Sequence, residues 1–297
     1  MSSAERAAQA LTQLESYDLR ILQSIELGMM QHEYVPFGEV ARLSGLNDNE
    51  MEYRLRNLDR LDLIYRQKEP YLGYIMNYTA YDCLALNALV KAGTLEALGP
   101  SVGIGKEADV YEALTPTKRK VAVKFHRLGR TSFRDTRRKR DYIADRRHIS
   151  WLYQSRLAAE NEFRALKAMY EAGVAVPEPI DQNRHAVAME YLEAVQLSDV
   201  VELDEPLELL QDILENVRKA YKAGVIHTDL SEYNVMVNPE GRVWLIDWPQ
   251  YTASSHPNAE EILSRDVRNV AYYFQRKFGT DMTVEEAVAY VKSGLSR

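Results

Sequence analysis

The string that most narrows what this chain can fold into lies toward its C-terminal end: Ile226-His227-Thr228-Asp229-Leu230-Ser231-Glu232-Tyr233-Asn234-Val235, followed by Val243-Trp244-Leu245-Ile246-Asp247-Trp248. Short apolar runs flank a polar loop, the pattern of strand, loop and strand. That frame carries an aspartate, an asparagine five residues later, and a second aspartate at the end of an apolar strand. Any one of them alone reads as a turn carboxylate or a cap. Three oxygen groups at those offsets read as one site.

Phosphoryl transfer asks for such an arrangement, because the protein contributes placement and charge neutralisation and little covalent chemistry. Asp229 would orient an acceptor hydroxyl or take its proton. Asn234 and Asp247 would offer hard oxygen ligands to magnesium, with manganese as an alternative ion. Upstream, Gly103-Ile104-Gly105-Lys106-Glu107-Ala108-Asp109-Val110 sits between strands, where glycines let backbone approach phosphates closely. The third glycine of a kinase loop is Ala108 here, so this string alone is weak evidence. Val121-Ala122-Val123-Lys124 then supplies a strand lysine for the α- and β-phosphates, with Glu162 as its helical partner and Glu160 as a rival half a turn away. Met189-Glu190-Tyr191-Leu192 falls where a hinge belongs, and backbone groups of Glu190 and Leu192 could bond adenine. Gly103, Gly105, Lys106, Glu107, Val110, Met189 and Ser231 complete the candidate nucleotide-binding set.

At 297 residues, two domains are expected. A composition 46% hydrophobic and 27% charged is that of a globular chain. No run approaches the roughly 20 apolar residues of a membrane helix, and the start lacks a signal-peptide core. The single Cys83 has no cysteine partner and reads as a small buried residue, so a reducing cytoplasm is the expected location. Residues 1 to 92 read as helical, with a helix over Leu14 to Met29, then Phe37 to Leu43, a turn, and Asn47 capping a helix through Leu61. Leu63 to Arg66 and Tyr74 to Tyr78 look like a two-stranded wing, followed by a helix from Asp82 to Lys91 stopped by Gly93. This unit resembles a winged-helix domain. Residues 93 to 297 form the second domain: strands around 101–105, 110–114 and 121–125, a helix with Leu157, Phe163, Leu166 and Met169 on one face, strands near 178–181 and 186–191, and a helical half led by Leu209, Ile213, Val217 and Tyr221. Its lobes would span about 98–189 and 194–297, with the hinge at about 190–193.

On Gly103 to Glu107, Lys124-Phe125-His126, Gly129-Arg130-Thr131-Ser132-Phe133, Asn161 to Leu166, His227 to Asn234 and Ile246-Asp247-Trp248-Pro249-Gln250, the chain resembles the RIO family of atypical protein kinases. Within it, the likeness is to the second subfamily, which carries a winged helix ahead of the kinase domain. The resemblance implies an α+β, two-lobed minimal kinase fold, ATP binding, serine autophosphorylation, an ATPase cycle through an acyl phosphate on Asp247, and a role in maturing the small ribosomal subunit. Trp248-Pro249 follows Asp247 where ordinary protein kinases have Phe-Gly, and no Ala-Pro-Glu segment comes after it. A standard peptide platform is therefore not expected, and Thr228 in place of the usual arginine argues against control by activation-loop phosphate. Asp266 could anchor the catalytic loop or be a surface aspartate. Two rival readings stand: a small-molecule phosphotransferase like aminoglycoside or choline kinases, and a nucleotide-sensing assembly factor with little kinase activity.

Charge is uneven. The chain carries a net −7, yet Arg127 to Arg147 holds nine basic residues against three acidic ones, and the run Gly129 to Arg147 within it reads either as a loop that meets ATP or RNA phosphates or as a solvated helix face. Thr131 and Ser132 in it are candidate phosphate contacts or self-phosphorylation sites. In the candidate recognition helix, Arg54, Arg56 and Arg60 are outweighed by Asp48, Glu50, Glu52 and Asp59, which argues against sequence-specific duplex DNA and leaves RNA, protein contact or a structural role.

Overall fold

The structure, a computed structural model, describes residues 1–128 and 144–293, with 144–150 described by backbone alone. Most of the basic window, with Thr131 and Ser132, lies outside the described residues. Backbone contacts divide the chain into two compact units, Met1–Ala159 with Asp181–Ala188 and Glu160–Ile180 with Met189–Arg297.

The first unit opens with α1 (Ser3–Leu11), a helix absent from the sequence expectation, although Ser2 and Glu5 spell its start. The Ser2 hydroxyl accepts from the Glu5 amide at 3.2 Å, and the Glu5 carboxylate accepts from the Ser2 amide at 2.8 Å, a reciprocal capping box. Next come α2 (Ser16–Gly28), β1 (Val35–Pro36), α3 (Phe37–Ser44) and α4 (Asp48–Arg60). Gly45, at φ 65°, closes α3 in the left-handed region, and the Asn47 side chain caps α4 by accepting from the Glu50 amide at 3.0 Å. Strands β2 (Ile64–Gln67) and β3 (Gly73–Met76) form the wing, in a sheet ordered β1-β3-β2. This is a winged-helix arrangement. Helix α5 (Tyr78–Lys91) begins four residues earlier than expected because Asn77 caps it, accepting from the Ala80 amide at 3.1 Å. Tyr78 is therefore helical, not the end of a strand.

A five-stranded sheet follows, ordered β4-β5-β6-β8-β7, from β4 (Ala97–Ile104), β5 (Ala108–Leu114), β6 (Lys120–His126), β7 (Pro179–Asn183) and β8 (Ala186–Glu190). The long helix α6 (Ala144–Glu171) lies between β6 and β7 in sequence and ends at Gly173, φ 70°. Its inward face differs from the expectation. Leu157 is 39% exposed, whereas Ala159, Glu162, Ala165, Leu166 and Met169 are buried.

The second unit is mainly helical. It holds β9 (Val195–Gln196), α7 (Pro206–Lys222), β10 (Val225–Ile226), β11 (Val235–Val237), β12 (Val243–Leu245), β13 (Thr252–Ala253), α8 (Ala259–Phe278) and α9 (Val284–Lys292). Leu209, Leu210, Ile213 and Val217 of α7, Leu263, Val267, Val270 and Phe274 of α8, and Ala287 and Val291 of α9 supply its apolar core. Small antiparallel sheets, β12-β11-β9 and β10-β13, stand on that base.

Candidate functional site

Strand β10 leads into the loop that carries Asp229. Asp229 and Asp247 are exposed, while His227, Leu230, Asn234 and Trp248 around them are buried, so the frame is inside and the carboxylates face out. His227 ties the two halves of this frame together. Its Nε2 lies 2.8 Å from the Ile246 carbonyl, which can only accept, and its Nδ1 lies 3.4 Å from the Asp229 amide, which can only donate. Both contacts require a neutral ring protonated on Nε2. Burial, which lowers the pKa of His227, favours the same neutral form. Trp248, fully buried, rests against that ring at 4.5 Å and donates its indole N–H to the Leu245 carbonyl at 3.1 Å.

Asn234 fixes the loop from within. Its side-chain amide nitrogen donates to the Asp229 carbonyl at 2.8 Å, and its own carbonyl accepts from the Ile246 amide at 3.0 Å. The two bonds bring the Asp229, Asn234 and Asp247 segments side by side in the second unit. Thr228 and Asp247 both sit at positive φ, 75° and 69°. A β-branched residue there is strained by about 1–3 kcal/mol and persists only where its surroundings hold it. Thr228 is held three ways: its amide donates to Asp266 Oδ2 at 2.7 Å, its hydroxyl donates to the Gln250 carbonyl at 2.9 Å, and its carbonyl accepts from Arg265. Asp266, 1% exposed on α8, is thus the anchor of the loop and not a surface aspartate. Burial pushes its carboxyl up to about 6.

In the first unit, register lines up three of the expected nucleotide residues. Gly103 of β4 pairs with Val110 of β5, which pairs with Lys124 of β6. Lys124 is 8% exposed. The Gly105 amide donates to the Ala108 carbonyl at 2.8 Å, closing the turn that contains Lys106 and Glu107. A Cβ added at Gly103 would meet nothing within 4 Å, so the fold itself makes no steric demand for glycine there. Glu162 lies in the second unit and is 1% exposed, whereas Glu160 is only half-buried, which favours Glu162 over its rival. In the expected hinge, the Glu190 amide donates to the Glu178 carbonyl at 2.9 Å, so of the Glu190 backbone groups it is the carbonyl that stays a candidate for adenine. Met189 is buried at the end of β8, and Ser231 accepts on its carbonyl from the Asn234 amide at 3.0 Å.

His227 as a bridge is not part of the sequence expectation, although its imidazole stands two residues before Asp229. Arg54, counted among the charges of the recognition helix, does not face a ligand surface. Arg54 is 8% exposed and bonds Glu15 at 2.8 Å, Glu50 at 2.7 Å and Asp18 at 3.3 Å. Arg127, first of the basic window, is likewise buried, at 2% exposure.

The donors suit magnesium. Among the described residues no group of three His, Cys, Asp or Glu stands close enough to hold a metal alone. Asp247 and the Asn234 side-chain oxygen, whose amide nitrogen already points at Asp229, could supply the sparse kind of oxygen set that magnesium completes with water and substrate phosphates. No helix among the described residues is long and apolar enough to cross a membrane.

Residues 109–287 match the family described as "RIO domain", and residues 11–92 match "Rio2, N-terminal". The chain is 43% identical to the RIO-type serine/threonine-protein kinase Rio2 of Methanocaldococcus jannaschii, over 84% of this chain and 92% of that one. It is 38% identical to the serine/threonine-protein kinase rio2 of Dictyostelium discoideum, over 91% of this chain but 52% of that longer protein. The crystal structure of the Rio2 kinase–ADP/Mg2+–phosphoaspartate complex from Chaetomium thermophilum superposes with a TM-score of 0.85 at 32% identity, covering 98% of this chain and 90% of that one.

Proposed function

The chain belongs to the RIO family of serine/threonine-protein kinases, on its Rio2 branch, and on that premise we propose that it is an ATP- and magnesium-dependent phosphotransferase that labels itself on serine and on Asp247. The observation that carries the proposal is the pair of bonds from Asn234, one to the Asp229 carbonyl and one from the Ile246 amide, which holds two exposed carboxylates and an amide oxygen in one frame.

In this reading Lys124 and the turn Gly103 to Glu107 serve the phosphates, and the Glu190 carbonyl with the Leu192 amide serves the adenine edge. Magnesium bound by Asn234 and Asp247 would neutralise charge on the phosphate oxygens. For a serine acceptor, Asp229 orients the hydroxyl and takes its proton as the oxygen bonds the γ-phosphorus and the bond to the β–γ bridging oxygen breaks, its electrons leaving with ADP. For the acyl phosphate, a carboxylate oxygen of Asp247 bonds the γ-phosphorus while the bond to the β–γ bridging oxygen breaks, its electrons leaving with ADP. Water then attacks that phosphorus, releasing inorganic phosphate and restoring the carboxylate. A complex with phosphoaspartate in the Chaetomium relative supports this second route.

The family resemblance extends the proposal to maturation of the small ribosomal subunit in the cytoplasm, with precursor RNA and proteins as partners. Co-sedimentation of the chain with precursor particles tests that part. The chemistry is tested by incubating the chain with magnesium and γ-labelled ATP beside Asp229→Ala and Asp247→Ala. Acid-stable label lost in both variants supports serine phosphorylation, and hydroxylamine-labile label lost with Asp247→Ala supports the acyl phosphate. A wild-type chain that yields neither label nor free phosphate overturns the proposal.

A further inference from the structure

Behind the row Gly103, Val110 and Lys124 lies a buried ionic cluster that the proposed chemistry does not use. Arg127, three residues past Lys124, is its centre. The guanidinium clasps Asp82 of α5 with both Nη atoms, at 2.6 and 2.8 Å, and its Nε donates to Asp109 of β5 at 3.2 Å. The Arg127 backbone amide donates to the carbonyl of Glu107 in the glycine turn at 2.6 Å. His185 completes the cluster, its Nε2 lying 2.7 Å from Asp82 and 2.8 Å from Arg127, with its ring stacked on Tyr81 at 4.5 Å. Asp82, Asp109 and His185 are wholly enclosed.

Such a cluster is poor value as a source of stability. A buried ion pair loses as much hydration as it gains in attraction, and apolar residues of the same volume often serve as well. Its distinctive property is direction. Two-point contact between a planar guanidinium and a carboxylate fixes angle as well as distance. Here that geometry joins one helix of the winged-helix domain to the turn and the two strands expected to meet the phosphates.

Resting on the reading of function above, we infer that Arg127 is a positioning residue for the phosphate-binding elements. Through Asp82 it makes helix α5 of the winged-helix domain the support against which Lys124 and the glycine turn are held. The N-terminal domain then serves the nucleotide site directly. Misplacing phosphate contacts penalises ligands according to the phosphates they carry and leaves recognition of the nucleoside alone.

The test compares ADP and adenosine binding by calorimetry in the full chain, with KM for ATP, kcat and Tm recorded alongside. Arg127→Lys keeps the charge and removes the two-point contact. It is expected to weaken ADP by roughly tenfold or more while adenosine changes far less, and to raise KM for ATP more than it lowers kcat. Asp82→Asn keeps side-chain size and is expected to move the ratio in the same direction. If Arg127→Lys does not fold, Asp82→Asn decides. Glu26→Gln removes the bidentate pair from Glu26 to Arg184, at 2.8 and 2.6 Å in the same unit, and is expected to lower Tm with the ratio unchanged. Equal weakening of ADP and adenosine, or an unaltered ratio with a lower Tm, overturns the inference and leaves a packing role. A wild-type chain that binds no ADP overturns the reading of function itself.

Discussion

The backbone amide of Thr228 donates to Oδ2 of Asp266 at 2.7 Å, joining residues 38 apart in sequence. That bond steadies a β-branched residue in the left-handed region immediately before Asp229. Removing the acceptor leaves a partly buried amide without its partner, at about 1–3 kcal/mol. Asp266→Ala should therefore lower stability by that order and turnover by roughly tenfold or more, as a displaced loop does. Asp266→Asn, which can still accept, should keep most of both. Denaturant melts and labelled-phosphate release measure the two, and full activity in Asp266→Ala would refute the anchoring role.

Gly103 offers a contrast between fold and ligand. Open space surrounds its missing Cβ, so Gly103→Ala should leave Tm within a degree or two, in keeping with a surface change. A methyl group facing the phosphates should nonetheless weaken ADP severalfold if the backbone there approaches them. Calorimetric titration decides, and unchanged ADP affinity would remove Gly103 from the site.

Gly28 gives the opposite pattern. A Cβ there would overlap Cγ1 of Val35, a buried residue of β1. Gly28→Ala should cost about 1–3 kcal/mol by overpacking, seen as a lower urea midpoint. A midpoint equal to wild type would show that the helix end yields freely.

Acid should weaken the first unit. Burial pushes His185 down from 6.5 to about 4, so between those values the unfolded chain binds the extra proton and stability falls as pH drops. Asp82 acts in the same sense. Burial alone would raise its pKa, but the Arg127 guanidinium and His185 hold it below the ordinary carboxylate range, so its contribution is lost as pH falls through that depressed value. Asp266 in the second unit opposes them: with a carboxyl raised to about 6, its contribution is present at low pH and lost as pH rises through that value. His185→Gln should flatten the fall in Tm between pH 6.5 and 4. An unaltered profile by scanning calorimetry would show that His185 does not carry it.

Much of this was legible in the sequence because local chemistry dictated it. Asn47 as a helix cap and Gly45, Gly93 and Gly173 as helix stops act over a few residues. The spacing from Asp229 through Asn234 to Asp247 is also local, since a loop and a two-strand turn fix it. Long-range pairing was not legible. Arg54 and Arg127 looked like surface charge because their carboxylate partners are distant in sequence: Asp18 is 36 residues from Arg54, and Asp82 is 45 from Arg127. Leu157 satisfied a helical period yet is 39% exposed, while Glu162, charged, is buried. Periodicity marks a face and does not say which residues need a partner there. The capping box at Ser2 and Glu5 is local too, but the alanine-rich start around it is short and offers little apolar periodicity to mark a helix.

Strand β13, a few residues past Asp247, pairs with β10, just ahead of Asp229: Val225 opposes Ala253 and Ile226 opposes Thr252. The Ser254 amide adds a bond to the Gly224 carbonyl at 2.8 Å. Where a mobile segment would have to fold before each turnover, this chain has a clasp that closes when the protein itself folds. On the proposed reading, a change at either end of that clasp, at Gly224 or at Ser254, would be felt at both carboxylates at once.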